Sequence, residues 1–207
     1  METLASSAIE WGVASRALPG QSTSGDLNVV KSFPDGVLVA ALDGLGHGEE
    51  AATAAAVAAA TLEMHAGEPV MTLVQRCHEA LRATRGVAMS IASFNVSRGL
   101  VTWLGVGNVE GVLLRRSSTR PVAEVPLLLR AGVVGFQLPL LDVEVVPVSA
   151  GDTLIFATDG IRSDFARGLA RNYPPQKAAE KILARHARAT DDALVLVARY
   201  LQDGVRE

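Results

Sequence analysis

Val37-Leu38-Val39-Ala40-Ala41-Leu42-Asp43-Gly44-Leu45-Gly46-His47-Gly48 is the stretch whose reading decides the fold. Val37–Leu42 is an unbroken apolar run of strand length, which reads as a strand buried within a sheet. It delivers Asp43 at its edge, passes through a glycine-rich turn and enters Glu49–His65, a segment rich in strong helix formers. A carboxylate at the end of a buried strand is held rigidly. The same arrangement recurs far along the chain. Thr153–Ala157 leads through Thr158 into Asp159-Gly160, and Leu194–Ala198 departs from Thr190-Asp191-Asp192-Ala193.

Carboxylates that converge from such stations repel one another unless a cation lies among them. Oxygen-only ligands, with no His or Cys at metal-ligand spacing, favour Mg²⁺ or Mn²⁺ over zinc. A second reading of Gly44, Gly46 and Gly48 is a phosphate cradle of the dinucleotide type. That fingerprint requires G-x-G-x-x-G inside a βαβ unit. Here the glycine spacing differs, and the helix is followed by a second helical segment.

Other apolar runs, bounded by Gly, Pro, Asp or Asn, read as strands over Ile9–Ser15, Leu27–Phe33, Gly36–Leu42, Val87–Val96, Leu100–Gly105, Val109–Arg115, Val143–Val148, Thr153–Ala157 and Leu194–Tyr200. Tight turns such as Pro34-Asp35-Gly36, Ser97-Arg98-Gly99 and Ala150-Gly151-Asp152 join several of them, which favours mostly antiparallel pairing. Helices are expected over Glu49–His65, from Pro69 to about Arg85, and as a pair between Ile161 and Ala189, broken near Asn172-Tyr173-Pro174-Pro175. Strands in runs and helices in separate blocks give an α+β fold, a sheet sandwich flanked by helices. Ser117–Gln137 carries no clear period.

With 207 residues, 49% hydrophobic and 20% charged, the chain is expected to be a single globular domain spanning 1–207. A net charge of −3 supplies no basic face for nucleic acid. The helical stretch Ala51–Leu62 is too short to span a bilayer, and no signal peptide is apparent. The lone Cys77 sits at helical spacing with Val74 and Leu81, as a small core residue, and suits a reducing cytoplasm. Arg115-Arg116-Ser117-Ser118-Thr119-Arg120 reads as a solvated hairpin tip. His65 and His186 fall near helix C-termini, and His78 on a polar helix face.

Six short motifs, taken in order, resemble the metal-dependent serine/threonine protein phosphatases of the PPM (type 2C) class. They are Ser24-Gly25-Asp26, Leu42–Gly48, Gly105-Val106-Gly107-Asn108, Gly132–Gly135, Ala157-Thr158-Asp159-Gly160 and Asp191-Asp192-Ala193. The likeness runs from about Val13 to Val197 and is greatest to the small bacterial SpoIIE/RsbU/RsbX-like branch. It implies a four-layer α/β/β/α sandwich of two antiparallel sheets with helices outside. It also implies a site at one end for two Mn²⁺ or Mg²⁺ ions and a possible third, weaker one.

Carried over by motif, Asp43 would bridge both ions and the carbonyl of Gly44 would bind one. Asp159 and Asp191 would complete the second, with Asp191 preferred to Asp192 as the first member of its pair. Asp26 would bond water at the site or help hold the extra ion. Asp43, Asp159 and His47 make up the catalytic set, and Gly107-Asn108 is read as a structural turn. Water activated between the ions would attack phosphoserine or phosphothreonine in line, without a phosphoenzyme. The chain is expected to be a cytoplasmic monomer, and the branch implies a stress-signalling enzyme. Its substrates would be phosphorylated STAS-domain proteins, stressosome scaffolds or antagonists, with no nucleic-acid or membrane partner.

This chain departs from the family at two positions. Gln21 stands five residues before Asp26, where larger members carry a phosphate-gripping arginine, with Arg16 or Arg130 as possible substitutes. Leu45 stands where a general-acid histidine follows Asp-Gly, leaving His47 either as the acid or as a plain residue at a helix start. Competing readings are a pseudophosphatase that binds a phosphoprotein without turnover and a hydrolase of nucleotides or small phosphoesters.

Overall fold

A computed structural model describes residues 8–116, 124–169 and 172–202. The first sheet has the order β1 (Ile9–Arg16), β11 (Ala193–Tyr200), β10 (Thr153–Ala157), β6 (Glu110–Leu114) and β7 (Glu124–Pro126). The second runs β2 (Asp26–Phe33), β3 (Gly36–Gly44), β4 (Val87–Asn95), β5 (Leu100–Val106) and β8 (Leu129–Arg130), with β9 (Glu144–Pro147) also paired to β5. All pairs are antiparallel except the short β5–β8 contact. Because β3 and β4 are direct antiparallel partners, the two intervening helices close no βαβ unit, and the dinucleotide reading of Gly44–Gly48 falls away.

The sheets stack face to face, and the period of two sorts their side chains into three cores. On β3, Val37, Val39 and Ala41 point between the sheets, whereas Leu38, Ala40 and Leu42 point towards α1 (Glu49–Met64) and α2 (Val70–Ala80). On β11, Leu194, Leu196, Ala198 and Tyr200 enter the central layer, and Ala193, Val195 and Val197 meet α3 (Pro175–His186). Both strands are therefore apolar without alternation over Val37–Leu42 and Ala193–Ala198. The result is the α/β/β/α order that the family resemblance implies. Among the described residues, no helix is long and apolar enough to cross a membrane.

Alanine richness in α1 lets the helix lie close to the second sheet. Ala51, Ala54, Ala55 and Ala58 are all buried, and a Cβ at Gly44 would come within 2.1 Å of the Ala51 carbonyl oxygen. Cys77 is a core residue on α2, with burial pushing its thiol up to about 12, so it is no nucleophile.

Two helical expectations are corrected. Of the pair expected between Ile161 and Ala189, only α3 forms among the described residues. The stretch after Ile161 is instead a chain of three-residue turns, with Phe165 N–H bonding the Arg162 carbonyl and Arg167 N–H that of Asp164. Burial of Phe165, the Asp164–His186 contact at 3.1 Å and the Ile161–Ala187 bridge fix that path better than a helix would. Likewise α2 stops at Ala80 rather than near Arg85, since Thr84 Oγ1 caps the Leu81 carbonyl and Gly86 turns the chain at φ 81°. Ser117–Arg120 lies outside the described residues, but Arg115 is no solvated tip residue. It pairs with buried Asp152 at 2.9 Å.

Candidate active site

The acidic stations meet at one end of the sandwich because the strands that carry them end there. Asp26 opens β2 and Asp43 is the last residue but one of β3, and the two are direct partners in the antiparallel ladder. Thr158-Asp159-Gly160 follows β10, whose last residue Ala157 pairs with Val195 of β11, and Asp191-Asp192 immediately precedes β11. A cavity of about 180 Å³ opens among Asp43, Leu45, Gly46, His47, Asn108, Asp159, Thr190 and Asp191. Four expected site residues thus line one cavity: Asp43, His47, Asp159 and Asp191.

Two acids stand behind it. Asp26 is buried and accepts a hydrogen bond from Thr158 Oγ1 at 2.7 Å, and Thr158 Oγ1 in turn accepts one from Leu194 N–H at 2.9 Å. This chain of bonds ties the two sheets together beneath the cavity floor. Asp192 is also buried, and its carboxylate is already committed. Oδ1 accepts Leu18 N–H and Oδ2 accepts Gly25 N–H, both at 2.7 Å. Asp191 is half-buried, faces the cavity and accepts its neighbour's N–H at 2.9 Å. The geometry divides the pair into an acid open to a ligand and an acid that secures the Leu18–Gly25 loop.

Burial and crowding set the electrostatics. Asp43 is pushed up to about 8, first by burial and then by repulsion from Asp26, Asp159, Asp191 and Asp192. Asp26 rises to about 7, again chiefly through burial, with the Thr158 hydrogen bond pulling the other way. Asp159 is raised by burial and by Asp191, against the opposing pull of Asn108 and Arg188. Several carboxyls pressed towards neutrality by burial and by one another are the donor chemistry of a hard-cation site. Among the described residues, no three His, Cys, Asp or Glu side chains already stand as ligands of one ion. Mg²⁺ is commonly held by only one or two carboxylates, with water completing its shell.

Three residues acquire roles that sequence reading did not give them. Asn108 Nδ2 donates to Asp159 Oδ2 at 2.6 Å, so the Gly107-Asn108 turn, with Gly107 at φ 94°, reaches into the cavity rather than only shaping the chain. Arg188 clamps the Asp159-Gly160 turn, its Nη1 donating to the Asp159 carbonyl at 3.0 Å and its N–H to the Gly160 carbonyl at 2.7 Å. His78 Nδ1 accepts Gly135 N–H at 3.0 Å and anchors a loop. The proposed stand-ins for the missing arginine are occupied elsewhere: Arg16 bonds the Arg188 carbonyl at 2.6 Å, and Arg130 pairs with Asp142 at 3.0 Å. Neither lines the cavity. Gln21 Nε2 instead lies 2.6 Å from His47 Nδ1.

This fold, with its acids gathered at one end of a four-layer sandwich, defines a domain of the PPM (type 2C) phosphatase class. The family model described as Stage II sporulation protein E (SpoIIE) matches residues 34–201, and the chain belongs to that family. A curated relative, phosphoserine phosphatase RsbX of Bacillus subtilis (strain 168), is 33% identical over 94 residues, which are 45% of this chain and 47% of the relative. The chain thus matches about half the length of that relative. A solved chain described under "The bacterial stressosome: a modular system that has been adapted to control secondary messenger signaling" is 28% identical, with a TM-score of 0.83 over 92% of this chain and 99% of that one. A structure of RsbX in complex with magnesium shares the fold at a TM-score of 0.82 and 23% identity, covering 93% of this chain and 95% of that one.

Proposed function

We propose that this protein hydrolyses phosphoserine and phosphothreonine on partner proteins, with Mg²⁺ or Mn²⁺ as its cofactor. The observation that carries the reading is the cavity itself, where Asp43, Asp159 and Asp191 converge and Asp43 is raised to about 8, first by burial and then by the acids around it. Asp43, the Gly44 carbonyl, Asp159 and Asp191 would hold two ions, and Asp26 would buttress Asp43 or help a weaker third. Bound there, divalent cations supply the Lewis acidity that makes water nucleophilic near neutral pH and offsets phosphoryl charge.

The chain's own residues do the rest. Asn108 and Arg188 hold Asp159 and its turn in place. The Asp26–Thr158–Leu194 bonds fix the floor on which Asp43 stands. His47 lines the cavity and would give a proton to the departing seryl oxygen. The small cavity leaves little surface for recognising a substrate beyond its phosphate, which favours selection by docking of a whole protein.

RsbX bears the name of a phosphoserine phosphatase, and a similar chain belongs to a stressosome study. Both support phosphorylated proteins of a stressosome pathway as the substrates, and we propose that these are STAS-domain proteins, acted on in the cytoplasm by a monomer. The test compares a phosphoseryl STAS protein, p-nitrophenyl phosphate and a nucleoside monophosphate at equal metal. The expected order puts the phosphoprotein first in kcat/KM. Faster turnover of the nucleotide would favour a small-molecule hydrolase, and binding of the phosphoprotein without release of phosphate would favour a pseudophosphatase.

A further inference from the structure

Gln21 occupies the place of an arginine in larger relatives, yet nothing about its surroundings suits a phosphate grip. It does not line the cavity. Its carboxamide is packed instead between the His47 ring and the start of α1. Nε2 lies 2.6 Å from His47 Nδ1, and a Cβ at Gly48 would lie 3.3 Å from Oε1. Oε1 is buried and has no hydrogen-bond partner among the described residues. A buried, unpaired amide oxygen beside an imidazole is costly unless some state of the ring uses it.

The imidazole supplies such a state. A bare Nδ1 accepts from the amide NH₂, and a protonated Nδ1–H donates to the amide oxygen once the carboxamide turns over. A carboxylate or a guanidinium could serve only one of these states. We propose that Gln21 is the positioning residue of His47: it holds Nδ1 in both protonation states, so that Nε2 is always the nitrogen presented to the cavity. The inference rests on the phosphatase reading above and adds a named device to its proton step.

In that step a water oxygen forms a bond to phosphorus, losing its proton to solvent, while the bond from phosphorus to the seryl oxygen breaks. The seryl oxygen takes the bonding pair together with the proton from His47 Nε2. The ring is left neutral, with Nδ1–H held by Gln21 Oε1, and regains its proton from solvent.

The experiment compares wild type, Gln21→Leu, His47→Ala and the double variant on a phosphoseryl protein and on p-nitrophenyl phosphate, whose phenolate leaves without needing a proton. Gln21→Leu should lower kcat on the phosphoseryl protein about tenfold with KM little changed. The loss on p-nitrophenyl phosphate should be several-fold smaller, and the double variant no slower than His47→Ala. A rise in KM at constant kcat, equal losses on both substrates, or multiplying effects in the double variant would overturn the proposal.

Ring ¹⁵N spectra of metal-free protein give an independent reading, since the chain has 4 histidines and His47→Ala identifies the signal. Gln21→Leu should shift the His47 Nδ1 resonance, and an unmoved resonance means that the contact is absent in solution. If wild type releases no phosphate with any metal, the phosphatase reading and the proton step fall together. In that case the ¹⁵N result alone decides whether Gln21 holds the ring.

Discussion

Asp26 and Asp43 face each other as direct partners across the β2–β3 ladder, one buried and the other at the cavity wall. Like charges directly opposite on a sheet destabilise it, and here burial adds to the cost. Their carboxyls rise from an ordinary 3.8 to about 7 and about 8 respectively. In the unfolded chain both acids lose their protons near 4, so between that pH and about 8 the folded state binds more protons than the unfolded one. Stability contributed by the protonated forms is complete below about 4 and is lost as pH rises through 7 and 8. The metal-free protein should therefore melt at progressively lower temperature from pH 5 to pH 9. Mg²⁺ or Mn²⁺ should raise the melting temperature most at the alkaline end, where protons no longer compete for the carboxylates. Differential scanning calorimetry across that range, with and without cation, checks both trends.

Asp43→Asn removes the charge at the centre of this repulsion. The variant should be more stable than wild type without metal at pH 8, lose the stabilisation by cation, and lose activity. Greater stability together with lost function would mark Asp43 as a residue kept for chemistry rather than for folding. A thermal melt beside a phosphate-release assay separates the two effects.

Asp191 and Asp192 are adjacent in sequence but differ in duty. Asp192 holds two backbone N–H groups of the Leu18–Gly25 loop, whereas Asp191 faces the cavity. Asp192→Ala should cost about 2–3 kcal/mol, because it leaves buried donors unpaired. Asp191→Ala should leave the melting temperature of the metal-free protein nearly unchanged and weaken cation binding. Urea denaturation and metal titration of both variants make the comparison.

Asn108→Ala deletes the 2.6 Å bond to Asp159 without adding charge. Asp159 then loses an opposing pull on its raised carboxyl and a fixed orientation. Activity should fall about tenfold or more, the scale on which partners that orient a ligand act. The deficit should shrink as cation concentration is raised, which a metal titration of kcat/KM reads directly.

Gly160→Ala would place a Cβ 1.8 Å from the Asp192 carbonyl oxygen, where backbone meets backbone and no side chain can give way. The expected loss is about 2–3 kcal/mol, together with displacement of Asp159 next door. Circular dichroism melts measure the first, and a raised metal requirement reports the second.

The double-faced apolar runs of β3 and β11 made the sandwich legible, because only a strand buried on both sides omits polar alternation. The acidic stations were legible for the same reason, since each marks where a buried strand reaches the surface. What the sequence hid lay in long-range contacts between side chains. Nothing local announces that Asn108 reaches Asp159 across 51 residues, that Gln21 meets His47, or that Arg188 folds back on the Asp159-Gly160 turn. The helix expected after Ile161 failed for a related reason. Its composition tolerates a helix, but burial of Phe165 and the pairing of Asp164 with His186 decide the path.

The central claim, a cation-dependent phosphatase whose chemistry lies among Asp43, Asp159 and Asp191, is tested most directly by phosphate release from a phosphoseryl STAS protein. The assay runs with Mn²⁺, with Mg²⁺ and with EDTA, for wild type beside Asp159→Asn. The account predicts release that requires a divalent cation and is lost in the variant. Release in EDTA, or equal release by the variant, would contradict it.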